Sequence, residues 1–172
     1  SGSPSNVSFT AFDSSKYDSY FFMVDNIVPA TDGVRFIFRT SSNGGSSYDS
    51  GSSDYTWMTQ FSNYSGSASA VGAGGSNPGA DSEVDFLQGN ADIGNLANEG
   101  IVGKLTIFSP DLTVYTKMRF EWIIQESNGV PKEISGGAIR VSADDVDAIQ
   151  FYWSSGNFGN YGRIRMYGIK NS

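Results

Sequence analysis

The stretch Tyr115-Thr-Lys-Met-Arg-Phe-Glu-Trp-Ile-Ile-Gln125 decides how this chain folds. Met118, Phe120, Trp122 and Ile124 recur at every second residue, with Lys117, Arg119, Glu121 and Ile123 between them. A repeat of two is that of a strand, whose successive side chains point to opposite faces. A helix would need apolar residues three and four apart over several turns, and no part of the chain offers that pattern. Outward from this stretch the same signal returns in short runs. Val34, Phe36 and Phe38 alternate with Arg35, Ile37 and Arg39 in Gly33–Thr40, and Tyr55, Trp57, Thr59 and Phe61 share one side of Asp54–Phe61. Val7–Phe12, Tyr20–Ile27, Val84–Leu87, Ile101–Phe108, Gly137–Ser142, Ala148–Ser154 and Gly162–Ile169 complete the set. Clusters of Gly, Ser, Asn and Asp separate them. About ten strands at this spacing predict an all-β, antiparallel β-sandwich. Asp92–Ala97 and Ser142–Val146 each have room for one helical turn.

Composition narrows the function. The 172 residues hold 21 glycines and 14% aromatics, and carry 11 Lys+Arg against 18 Asp+Glu, a net charge of −7. There is no cysteine and no histidine. Disulfides, thiol nucleophiles, zinc–thiolate sites and iron–sulfur clusters are thereby excluded. So are a Ser-His-Asp triad and any histidine-ligated metal. The negative charge argues against binding nucleic acid or an anionic membrane. No apolar run approaches the roughly 20 residues of a membrane-spanning helix, so membrane insertion is not expected. The opening Ser1-Gly-Ser-Pro-Ser5 reads as a linker or tail, and the missing initiator methionine suggests an excised piece. One domain over residues 1–172 is expected. Ser41–Ser53 is a long polar loop, and residues 62–82 (SNYSGSASAVGAGGSNPGADS) are so poor in bulky side chains that a flexible excursion is expected there.

The last third of the chain carries a resemblance. Val146-Asp-Ala-Ile-Gln-Phe-Tyr-Trp-Ser-Ser-Gly-Asn157 precedes a closing Gly162-Arg-Ile-Arg-Met-Tyr-Gly-Ile-Lys170. Upstream, Tyr20–Ile27 is followed by a turn at Pro29–Gly33 and then Val34-Arg-Phe-Ile-Phe-Arg39. Ser53-Asp-Tyr-Thr-Trp57 and Gly103-Lys-Leu-Thr-Ile-Phe-Ser-Pro110 follow in order. In this order the segments resemble a family of bacteriophage virion domains found in tail-fibre, head-fibre and capsid-decoration proteins. The resemblance implies a jelly-roll, lectin-like sandwich in the virion, often trimeric, touching other capsid, tail or fibre proteins. It implies a structural, non-enzymatic role with no cofactor. A carbohydrate-binding module that recognises host surface polysaccharide is the alternative.

Candidate sites follow from residue types, each beside an ordinary reading. Glycosidases need paired carboxylates; Asp81, Glu83, Asp85, Glu121 and Glu126 are available. Glu121 alone has apolar neighbours, but it stands on the face opposite Phe120 and Trp122, where an outward carboxylate is ordinary. Asp144, Asp145 and Asp147 offer oxygens for Ca²⁺, without the EF-hand pattern, or simply form a turn. Trp153, Asn157, Phe158, Asn160 and Tyr161 crowd one turn, with Tyr48 in another loop. Aromatic faces and amides of this kind bind sugars, or else they belong to the core. Phe21, Phe22, Met23, Ile123 and Ile124 break strict alternation, as a subunit interface or a doubly buried strand would. Gly168, inside the last strand, predicts a bulge or a close approach of another group.

Overall fold

A computed structural model describes residues 3–65, 68–76, 79–87 and 92–170, with the side chains of residues 64, 65, 68 and 69 excepted. The strands are β1 (Asn6–Phe9), β2 (Tyr17–Ile27), β3 (Phe36–Ser41), β4 (Tyr55–Ser65), β5 (Ala68–Gly75), β6 (Gly100–Phe108), β7 (Lys117–Gln125), β8 (Pro131–Arg140), β9 (Ala148–Trp153) and β10 (Arg163–Lys170). They form two antiparallel sheets, one ordered β1-β9-β3 and the other β10-β2-β6-β7-β8-β4-β5. Among the described residues there is no helix. The chain is an antiparallel β-sandwich of ten strands, as its alternation predicts. Its accessible surface, 8292 Å², matches the roughly 8,200 Å² expected of a compact chain of this mass.

β7 lies at the centre of the seven-stranded sheet, which is why its sequence alternates so cleanly. Met118, Phe120, Trp122 and Ile124 are all buried. Across the register they meet Ile107, Leu105, Gly103 and Ile101 of β6 on one side, and Ala138, Gly136, Ile134 and Lys132 of β8 on the other. From the opposite sheet come Phe36, Phe38, Ile149, Phe151 and Trp153. The rings interlock. Phe36 stacks on Phe151 with centroids 5.5 Å apart and meets Trp122 edge-on at 6.1 Å, while Phe86 lies on Trp122 at 5.2 Å. Such pairs add about 0.5–1.5 kcal/mol each beyond the area they bury.

Two glycines are required by this packing. Gly103 has φ +146, and a Cβ there would lie 2.0 Å from the Glu121 carbonyl and 2.7 Å from the Trp122 ring. At Gly168 a Cβ would strike the Tyr17 ring at 2.2 Å, and the register shifts just beyond, between Ile169 and Lys170. Both features anticipated for Gly168 are therefore present.

The structure departs from the sequence reading in several places. Residues 62–82 are not one loose excursion: β4 runs on to Ser65, and β5 pairs with it from Met58↔Gly75 to Ser65↔Ala68. The hairpin is held by backbone bonds and by the Phe61 ring lying over Gly72, neither of which leaves a period-two pattern in the sequence. β8 starts at Pro131 rather than Gly137, because Gly136 is a seat for the Phe120 ring and not a break. Val84–Leu87 makes only the isolated bridge Phe38↔Val84, which lays this segment along the edge of β3. The turns foreseen at Asp92–Ala97 and Ser142–Val146 contain no helix.

Candidate docking face

The side of the seven-stranded sheet that faces away from the sandwich core is the most distinctive surface of the chain. Its residues are the odd partners of the buried rows: Met23↔Lys104↔Glu121↔Ser135 in one row, Phe21↔Thr106↔Arg119↔Gly137 in the next, and Val102↔Ile123↔Glu133 in a third. β10 extends the rows, with Arg165 beside Met23 and Tyr167 beside Phe21. Phe21, Met23, Val102 and Ile123 converge with the stems of Lys104, Glu121 and Glu133 around a shallow groove of about 320 Å³. Met23 is 41% exposed and Ile123 59%. The Phe21 and Tyr167 rings lie 5.9 Å apart and continue the apolar strip towards β10.

Charge on this face runs against the rest of the chain. Lys104, Lys117, Arg119, Arg163 and Arg165 point outward with only Asp25, Glu121 and Glu133, five cations to three carboxylates, so the face is +2 in a chain of −7. Glu121 sits 3.0 Å from Lys104 and 3.7 Å from Arg119, and Asp25 sits 3.8 Å from Arg163 and 3.5 Å from Arg165. The hydrogen-bonded Lys104 ammonium holds the Glu121 carboxyl below the usual carboxylate range. A general acid needs the opposite shift, so Glu121 is an ion-pair partner.

The five proposed interface residues separate accordingly. Phe21, Met23 and Ile123 face outward, and the last two line the groove with Phe21. Phe22 and Ile124 are buried in this chain's own core and are corrected from interface to core. Their neighbours on the strand point the other way, which is why both faces carry apolar groups.

The glycan platform is corrected as well. Trp153 is 3% exposed and Phe158 6%, and both pack on Phe36. Phe158 also donates its N–H to the Pro4 carbonyl at 2.8 Å. Asn157, Asn160 and Tyr161 stay exposed. Tyr48 is half-buried against Gly45 near Ala148, the start of β9. The six residues of β9 separate it from the Asn157 turn by about 20 Å.

The three aspartates do not converge. Asp147 accepts the Gly44 N–H at 2.8 Å, Asp144 accepts the Ser142 hydroxyl at 2.6 Å, and Asp145 points to solvent. Among the described residues no three carboxylates come together to hold a metal. They are turn residues, and two of them, Asp144 and Asp147, each satisfy a loop donor.

The buried polar groups are ones the alternation hid. Arg140 donates to Asp49 at 2.7 Å, to the Asp144 carbonyl at 3.0 Å and to Ser42 at 3.4 Å, tying the β3–β4 and β8–β9 loops to the end of β8. Lys132 pairs with Glu126 at 2.9 Å over the Phe61 ring. Asp85 is bonded to Arg35, and Glu83 receives Arg39 at 2.7 Å and the Tyr152 hydroxyl at 2.6 Å. These bonds strap Ser82–Leu87 to Arg35, to β3 and to β9. Burial pushes the Asp85 carboxyl up to about 6 against the pull of Arg35. A cation and an acid far apart in sequence carry no local signal, so only the fold brings such pairs together.

No family model matches the chain, and no similar curated protein or solved structure is found.

Proposed function

We propose that the chain is a non-enzymatic structural component of a bacteriophage virion, as a capsid-decoration, head-fibre or tail-fibre domain. It attaches through the outer face of the seven-stranded sheet to an acidic surface on a neighbouring virion protein. The observation that carries this reading is the groove around Phe21, Met23, Val102 and Ile123, edged by cations in an acidic chain. Exposed apolar side chains gathered in one place mark contact surfaces in soluble proteins. The cations around them favour an acidic partner and speed its encounter. The ordered segments that resemble the phage virion family, from Tyr20 to Lys170, support the same reading; the jelly-roll type of the sandwich and the display of loops outward belong to that resemblance. In this role the chain works by shape and charge, without cofactor or catalysis.

The test is incorporation into particles. Met23→Asp with Ile123→Asp is introduced into the phage that encodes the chain, and copies per purified particle are counted. The expected result is a folded chain with an unchanged melting temperature and at least tenfold fewer copies per particle. Incorporation equal to the parent would overturn the assignment of this face.

A further inference from the structure

We propose that β10 is a self-pairing edge that joins two copies of this chain about a two-fold axis, making one continuous sheet from two seven-stranded ones. Among the described residues, β10 is the end strand of its sheet and pairs only with β2. It is half-exposed or exposed along its whole length. An edge of this kind presents a row of unpaired backbone donors and acceptors, which is a template for another strand.

The sequence of β10 fits itself in one register. Its regular part is Arg163–Ile169, seven residues that end where the register shifts. Ile164 and Met166 face the core, and Arg163, Arg165, Tyr167 and Ile169 face outward. When two such strands pair antiparallel, side chains of one face must meet the same face, so the axis passes through a residue. Centred on Met166, the pairing sets Arg163 opposite Ile169, Arg165 opposite Tyr167, Ile164 opposite Gly168, and Met166 opposite itself. All seven residues pair and no like charges stand directly opposite. Each Arg165 meets a tyrosine ring, a favourable cation–π neighbour. Centred on Arg165, that arginine would face its own copy; centred on Ile164, Arg163 would face Arg165. Centred on Tyr167, the pairing would run into the irregularity at Lys170. Asp25 lies within 3.8 Å of Arg163 and 3.5 Å of Arg165, so both arginines bring a counter-charge to the seam. On the inner side Ile164 would reach the Tyr17 ring that covers Gly168.

The pairing leaves both outer faces, with their grooves, on the same side of the joined sheet. It does not rest on the virion reading, which is decided by particle incorporation.

The experiment uses the full chain. Light scattering behind a sizing column at about 100 μM should give twice the chain mass of 18.5 kDa. The chain has no cysteine, so Arg165→Cys with Tyr167→Cys supplies the only thiols. Mild oxidation should convert most of that variant to a covalent dimer that a reductant reverses, while Thr106→Cys, away from the edge, should stay monomeric in the denaturing gel. Tyr167→Arg, which places arginine opposite Arg165, should weaken dimerisation tenfold or more. A single-chain mass overturns the proposal, as does a threefold mass, or a dimer that neither cross-links through these thiols nor responds to Tyr167→Arg. If Tyr167→Arg does not fold, the cross-link alone decides.

Discussion

The two faces of the seven-stranded sheet are made by the same strands and have opposite fates. On β7 alone, Phe120 and Trp122 are sealed between the sheets while Ile123 stands 59% exposed. Inside, Trp122 lies among the Phe36 and Phe86 rings, and a buried charge such as Lys132 is paired, here with Glu126. Outside, apolar groups of similar size lie between ion pairs that reach water. Burial makes the first set necessary to the fold, and the lack of it leaves the second free to serve contact. Hydrophobicity alone therefore does not mark a core residue; what faces it does.

The sharpest way to test the contrast is to remove a ring of β9, in the opposite sheet, on which the inner face packs. Phe151 packs against Phe9, Phe22, Phe36 and Phe38. Phe151→Ala should cost about 3–5 kcal/mol in urea unfolding, because the void cannot close among rings held on two sheets. A loss below about 1 kcal/mol would mean that the inner face is far looser than its geometry. Next comes the buried charge. Arg140→Ala strips Asp49 of its cation and unties two loops, with an expected loss of about 3 kcal/mol; a loss no larger than that of an exposed Arg163→Ala would remove the distinction between the faces.

A smaller effect concerns pH. Asp85 keeps its proton up to about 6 in the folded chain but gives it up near 4 when unfolded. Between these values the folded state binds more protons, so this group's contribution to stability is present below about pH 4 and is lost as pH rises through about 6. The change is on the order of 2 kcal/mol. It should vanish from the stability profile of Asp85→Asn, measured as wild type minus variant between pH 4 and 7. A flat difference would mean that Arg35 holds the carboxylate charged throughout. Smallest of all, Ile123→Asp on the outer face should move stability by less than about 0.5 kcal/mol. A larger loss would show that the outer face contributes to the fold.

Much of this fold is legible in the chain. The strands with one buried and one exposed face, β4 and β7, announce themselves through alternation: Tyr55, Trp57 and Thr59 of β4 and Met118, Phe120, Trp122 and Ile124 of β7 are buried, whereas β3 buries Ile37 along with Phe36 and Phe38. The outward position of Glu121, and the close approach at Gly168, were legible for the same local reason. β5 was not, because Ala, Ser and Gly carry no contrast between faces; only the backbone of β4 makes a strand of it. The candidate contact face was half legible. Doubled apolar pairs at Phe21–Phe22 and Ile123–Ile124 point to strands with two apolar faces, but not to which member of each pair lies inside.

By itself, then, the sequence determined the all-β class, the spacing of the strands, and the exclusion of thiol, histidine and triad chemistry. These depend on residue identity and on a period of two, both local properties. Only the tertiary structure decided that Trp153 and Phe158 are core, that Asp144, Asp145 and Asp147 go separate ways, and that Phe21, Met23, Val102 and Ile123 share a groove. It also decided that β10 ends its sheet, with no strand on its far side among the described residues. Exposure, convergence and edges depend on which strand lies beside which. That order is fixed by contacts between residues far apart in the chain, and no local pattern encodes it.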